Sequence, residues 1–393
     1  MGVLMLNLHA RASTALSPID IQGKLLAKVT CNPSLPAPLR WMSAFVYEGQ
    51  CDEIPTGFAV SLYRYGSAPK NIRGTNDIEL SADHNFLSEG DVVRISPDLK
   101  ISVIYRRNAS SNALLVTEQC NSFCIMCSQP PKAHDDSYLI DDWIAAIPYI
   151  DESCPELTIT GGEPTIMKDK FFELVNTIRA QLPATALHIL TNGRNFQDIE
   201  LARCLASIKH PDLMLGIPLY SDVASIHDFV VQADGAFDQT IDGIINLKRY
   251  GQRIELRVVI HAATYERMPR LAEFIARNLQ FVDQVSLMGL ELSGFARANL
   301  DEIWIDPADY QDQLAETVEI LVMAGMKPII FNHQLCLLRS ELRKYAVKSI
   351  SDWKREYMPE CGGCIEAHRD CGGFFSSAKY RYSKFITPIH VVA

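Results

Sequence analysis

No stretch of eighteen or more apolar residues occurs in this chain of 393 residues, so nothing in it reads as a membrane-spanning helix. Its opening, MGVLMLNLHARASTAL, has no basic residue ahead of a short apolar run and makes a poor secretory signal. Leu6 stands where a myristoylation signal needs Ser or Thr. The expectation is a soluble, cytoplasmic protein. Internal repeats and low-complexity tracts are also missing. Positive charge is scarce: 37 Lys and Arg against 47 Asp and Glu leave a net charge of −10. That balance argues against a surface built to grip nucleic acid, which needs clustered cations. The one basic concentration, AKYRYSKF (378–385), reads as a solvated terminal segment.

Cysteine, by contrast, is plentiful, with eleven residues. The count is odd and the chain long, so reduced thiols with a metal-binding role fit better than a disulfide framework. Cys31, Cys51, Cys154 and Cys204 are scattered. The other seven fall into a triad, Cys120, Cys124 and Cys127, and a C-terminal set, Cys336, Cys361, Cys364 and Cys371.

From about Leu114 onward, short β-branched runs (114–117, 156–160, 187–191, 213–219, 254–261 and 284–290) alternate with stretches of helical apolar spacing. Intervals of this size suit βα units of a parallel sheet. Six strands are too few for an eight-fold barrel; a partial barrel and an open doubly wound sheet are both allowed, and either places ligands at the carboxyl ends of the strands. Residues 1–110 instead alternate like short strands between turn residues and predict a β-rich domain that docks a substrate or partner, or caps the barrel. The barrel is expected over 111–327. After Pro328 the helical rhythm fades, and 328–393 reads as a cysteine-rich extension.

The triad, Cys120-x3-Cys124-x2-Cys127, starts just past the first strand. Zinc would want a fourth ligand nearby, and the following SQPPK supplies none. A disulfide would strand one thiol. Three thiolates on a tight loop can hold three irons of a [4Fe–4S] cube and leave the fourth iron open. Phe123, Ile125 and Met126 are expected to pack around it.

This 3-and-2 spacing after a first strand resembles the signature of the radical S-adenosylmethionine (SAM) superfamily. The resemblance implies an α/β fold, a partial (β/α)6 barrel with the N-terminal β-rich domain and the C-terminal auxiliary-cluster extension added. It also implies a catalytic [4Fe–4S] cluster on the triad, with SAM chelating the open iron and yielding a 5′-deoxyadenosyl radical. Gly161, Gly162 and Glu163, ending the second strand, match the family's Gly-Gly-Glu motif, which binds the methionine amino group. Met126 replaces the family's usual aromatic residue and can pack on a purine face. Asn192 at the third strand end stands where ribose is held, Arg257 can pair with the methionine carboxylate, and Met288 lies where backbone contacts adenine. His227 and His261 read as structural.

The C-terminal spacing, Cys361-x2-Cys364-x6-Cys371 with Cys336 upstream, offers four thiols for a structural zinc or a closed [4Fe–4S] cluster; His368 reads as a loop residue. The resemblance favours iron, as an auxiliary cluster of a peptide-modifying enzyme. CSQPPK, SISDWKREY and CGGFF together resemble the C-type radical maturase family of the His-Xaa-Ser system. That implies a peptide or protein substrate with His-Xaa-Ser repeats, a second radical maturase as partner, and a flavodoxin- or ferredoxin-type electron donor. Read without the resemblance, Trp353 and Tyr357 form one face of a packed helix. The alternatives are a superfamily member acting on a small molecule or tRNA base, or a non-catalytic iron–sulfur or zinc scaffold.

Overall fold

Eight strands form one parallel sheet in strict chain order: Asn112–Leu115, Glu156–Thr160, Ala186–Leu190, Leu213–Pro218, Arg253–Val259, Gln284–Met288, Pro328–Phe331 and Ala346–Val347. The structure, a computed structural model, describes residues 8–390 apart from Asp52, Lys70, Asn71, Arg73 and His368. Alternate strand residues turn outward and are buried under helices, among them Leu157, Ile159, Leu187, Ile189, Leu256 and Val258. The helices answer with apolar residues three and four apart. Asp169–Gln181 buries Phe171, Leu174, Val175 and Ile178, and Met268–Asn278 buries Met268, Leu271, Ala272 and Ile275. Residues of the opposite strand face line a concave lumen, so the partial barrel of the two allowed arrangements is the observed one.

Two features differ from the expectation for this sheet. It continues past six strands, and the boundary expected at 327/328 falls where a seventh strand begins: Pro328 pairs with Val285 and Phe331 with Met288. A four-residue run behind a proline is too short to be told from a loop by periodicity. The helix expected under Trp353 and Tyr357 is also absent. Trp353 sits on a single 3-10 turn, Asp352–Lys354, and Tyr357 follows a two-residue strand paired antiparallel with Phe374–Phe375.

The N-terminal domain is β-rich as expected, and its sheet closes. The strand order is His9–Arg11, Lys100–Tyr105, Val92–Ile95, Leu25–Thr30, Ser43–Tyr47, Val60–Tyr63, Asp77–Glu79 and Thr14–Ala15. Its two end strands are consecutive in the chain, and the link between them stays bonded to both sides: Ala12 N donates to Leu99 O and Ser13 N to Glu79 O, each at 2.9 Å. Val92 and Tyr105 join the core around Trp143, and Asp142 takes both Arg94 (2.7 Å) and Lys24 (3.0 Å). This domain therefore sits against the first barrel helix, Tyr138–Ala146, and the turn ahead of the second strand, away from the carboxyl-end loops.

The extension is folded onto the barrel. Its basic tail is not the solvated segment expected: Arg297 lies 3.9 Å from the Tyr380 ring centre, Arg381 pairs with Asp301 at 3.3 Å, and Tyr382 packs on Phe374.

Candidate active site

The triad loop leaves the first strand and is held from four directions. At its root, buried Asp136 accepts from Thr117 Oγ1 (2.9 Å), Gln119 Nε2 (3.1 Å) and Glu118 N. Midway, Phe123 N and Ile125 N donate to Val231 O and Val230 O (3.0 and 2.9 Å), at the end of helix Ala224–Val231. Arg194 reaches in from the third strand end to Ser122 Oγ (3.0 Å). Past the third cysteine, Phe295 N donates to Cys127 O (2.8 Å). Such a loop holds its thiols in place before any ligand arrives.

All three thiols are partly buried and none is in a disulfide. Burial pushes Cys120 up to about 11 and Cys124 up to about 12, and raises Cys127; Cys127 and Cys120 add to the effect at Cys124. Burial thus favours the neutral thiol, and binding of a metal would release the protons. Their spacing bears on which cation. Among the described residues, the only three Cys, His, Asp or Glu ligand atoms within 4.8 Å of one another belong to Glu118, His134 and Asp136. Thiolates on one tetrahedral zinc stand about 3.8 Å apart. At least one separation among the triad sulfurs therefore exceeds 4.8 Å. Met126 is 5 % exposed and packs with Tyr220, Val230 and Val231. Phe123, expected to shield the site, is 53 % exposed instead, because its backbone bond to Val231 leaves the ring at the surface.

The Gly-Gly-Glu turn lies directly against the loop. A Cβ on Gly162 would fall 2.1 Å from Gln119 O and 3.0 Å from Cys120 Cβ; one on Gly161 would fall 2.6 Å from Thr117 O. Only glycine permits this approach. Glu163 is fully buried and already engaged, accepting from Thr165 N (3.1 Å), Thr165 Oγ1 (2.6 Å), Thr191 Oγ1 (2.7 Å) and Asn192 N (2.6 Å). Its carboxylate thus ties the second strand end to the third. Asn192 continues the tie, its Nδ2 donating to Asn121 Oδ1 at 2.5 Å within the triad loop. Both side chains thus help to build the mouth.

Arg257 belongs to a lumen network that the sequence reading missed. Glu255 Oε2 lies 3.1 Å from Arg257 Nη1 and 2.9 Å from His188 Nε2, while Oε1 takes Gln284 Nε2 (3.1 Å) and the Ser286 hydroxyl. Burial would raise the Glu255 pKa, but His188 and Arg257 outweigh it and hold the carboxyl down to about 2. The network crosses the intervening strand at Gly216, whose Cβ would meet Arg257 Cδ at 2.9 Å and His188 Nε2 at 3.0 Å. The available signal was a charged pair two apart, inside the strand reading IELRVV. Met288 ends the sixth strand, its carbonyl taken by Ile260 N (2.8 Å).

Tyr220, also missed, stands just past the fourth strand. Its ring packs on Met126 and beside His227 (5.7 Å) and His261 (6.3 Å). Burial raises its pKa, and Cys124 and Cys127 add to the rise. His227 Nδ1 accepts from Tyr220 N (3.3 Å), and burial depresses both histidines to about 4.

In the extension, Cys336, Cys361, Cys364 and Cys371 line one pocket, walled by Phe374, Ile386 and Pro388. Ile389 N donates to Cys364 Sγ (3.3 Å) and Tyr357 Oη to Cys371 O (3.0 Å). No three of these sulfurs fall within 4.8 Å of one another either. His368 lies outside the described residues.

The Radical SAM superfamily profile matches residues 114–275. A probable GTP 3′,8-cyclase of Methanocella arvoryzae is 29 % identical over 143 residues, 36 % of this chain and 44 % of that protein. Streptococcus suis SuiB bound to S-adenosylmethionine aligns at 17 % identity and TM-score 0.46, over 56 % of this chain and 50 % of that one. The enzyme anSMEcpe with AdoMet and a Cp18Cys peptide aligns at 17 % identity and TM-score 0.44, over 56 % and 62 %. The chain thus spans half or less of the lengths of the cyclase and SuiB. The matched segment runs from within the first strand through the fifth and holds the triad and the Gly-Gly-Glu turn; over that segment the chain is similar to the radical SAM superfamily.

Proposed function

We propose that the chain is a cytoplasmic radical SAM enzyme that modifies a ribosomally made peptide or protein, in the manner of a His-Xaa-Ser maturase. The observation that carries this reading is the presence of two separate thiol sites, a three-cysteine loop at the barrel mouth and a four-cysteine pocket in a folded extension. Bound at the triad, a [4Fe–4S] cluster with S-adenosylmethionine on its open iron would supply an electron and, from the sulfonium, a radical able to abstract hydrogen.

The chain's own residues do the positioning. Gly161 and Gly162 bring backbone against the Cys120 side of the loop, where a carbonyl can accept from an ammonium group. Glu163 and Asn192 hold that backbone in register. Arg257, oriented by Glu255, offers a cation for a carboxylate. Met126 and Tyr220 wall off water beneath the loop. The four thiols and apolar walls of the second pocket suit an auxiliary cluster there.

The cyclase relative favours a second reading, a nucleotide-sized substrate. Iron content after anaerobic reconstitution tests the first. The parent should hold about eight irons, and a Cys120→Ala, Cys124→Ala, Cys127→Ala variant about four. The parent should also cleave S-adenosylmethionine to 5′-deoxyadenosine under dithionite, and the variant should not. About four irons falling to none, with zinc in both proteins, would remove the auxiliary cluster and favour the second reading.

A further inference from the structure

Charge is distributed unevenly along this acidic chain. Residues 328–393 hold ten Lys and Arg against six Asp and Glu, a net +4, while residues 1–327 carry −14. Much of the excess gathers at one place. An open cleft of about 1010 Å³ is lined by Arg343, Lys348 and Arg369, with Glu366 and Asp370 as its acidic members. Lys344, next to Arg343, is exposed as well. Cations crowd here: burial and the neighbouring Arg355 both push the Lys348 pKa down. Asp370 offsets them in part, pairing with exposed Arg369 at 3.2 Å and acting on Lys348.

The cleft also borders the four-cysteine pocket. Leu335, Glu366 and Ile389 line both spaces, so a single layer of side chains separates the basic surface from the thiols. Electron tunnelling falls steeply with distance. A carrier seated on this face would lie one layer of side chains from the pocket.

We propose that this cleft is the docking surface for an acidic one-electron carrier protein of the flavodoxin or ferredoxin class. One electron leaves the reduced carrier and enters the protein; no bond or proton need change. The mouth of the barrel then stays open to substrate while the electron enters through the extension. The inference rests on the reading of the four-cysteine pocket as a cluster site.

The test titrates the reconstituted full-length protein with a purified acidic flavodoxin, at about 50 and about 300 mM salt. Lys344→Glu/Lys348→Glu/Arg369→Glu is compared with Arg203→Glu/Arg270→Glu/Arg277→Glu, an equal change of charge on exposed barrel helices. The expected result is parent binding weakened by salt, and weakened roughly tenfold or more by the cleft variant but not by the control. S-adenosylmethionine cleavage driven by dithionite should be equal in parent and cleft variant. Equal flavodoxin affinity in parent and cleft variant, or equal loss in both variants, overturns the proposal. Zinc in the pocket, or no dithionite-driven cleavage by the parent, would instead sink the functional reading, and the titration would still report on docking.

Discussion

Replacing Glu163 by Ala separates two roles for the Gly-Gly-Glu carboxylate. The sequence motif suggests an acceptor for ligand; the structure shows a fully buried group accepting four hydrogen bonds from Thr165, Thr191 and Asn192. Truncation orphans those donors at about 1 kcal/mol or more each, partly offset by relief of the buried charge, so a net cost of about 2–4 kcal/mol is expected. Glu163→Gln keeps the shape but turns an amide donor toward a donor, and should cost about half as much. Burial raises the Glu163 pKa above the usual carboxylate range. The folded state then binds this proton more readily than the unfolded state, so its contribution to stability falls as pH rises through the window between the two values. Glu163→Gln removes that slope. Urea midpoints of parent and variants across pH measure both effects. A Glu163→Ala protein within about 0.5 kcal/mol of the parent, yet unable to bind S-adenosylmethionine, would refute the architectural reading and restore the direct contact.

Gly162→Ala should fold its N-terminal domain but lose iron at the triad on reconstitution, because the new Cβ meets backbone, Gln119 O, at 2.1 Å; normal iron content would contradict this. Gly216→Ala should cost about 1–3 kcal/mol by overpacking against Arg257 and His188, and should weaken S-adenosylmethionine binding more than it alters iron content. Buried His227, His261 and His333 are held to about 4. The unfolded chain binds more protons than the folded one between that value and the ordinary one. Stability should therefore be full above about pH 6.5 and fall as pH drops toward 4; a thermal midpoint flat over that range would count against their burial.

The chemistry-bearing groups were legible in the sequence because they are local. Three cysteines within eight residues and a Gly-Gly-Glu triplet each sit on one turn, next to a β-branched run that marks a strand. The first six strands were legible for a related reason, through β-branched runs recurring between stretches of helical spacing. What the sequence could not carry is pairing across distance. Glu255 meets His188 across sixty-seven residues and a glycine on the strand between them; Asn121 and Asn192 meet across seventy-one. The four-residue strand at Pro328 became a strand only because Val285 to Met288 offered it an edge. The closed N-terminal sheet exists because a link of two residues bonds to strands far along the chain. Residue type and spacing determined which atoms could bind a cluster. Only the tertiary structure decided that Glu163 bonds to Thr191 and Asn192, Asn192 to Asn121, and that His188 joins Glu255 beside Arg257, since these partners lie in no short stretch of sequence.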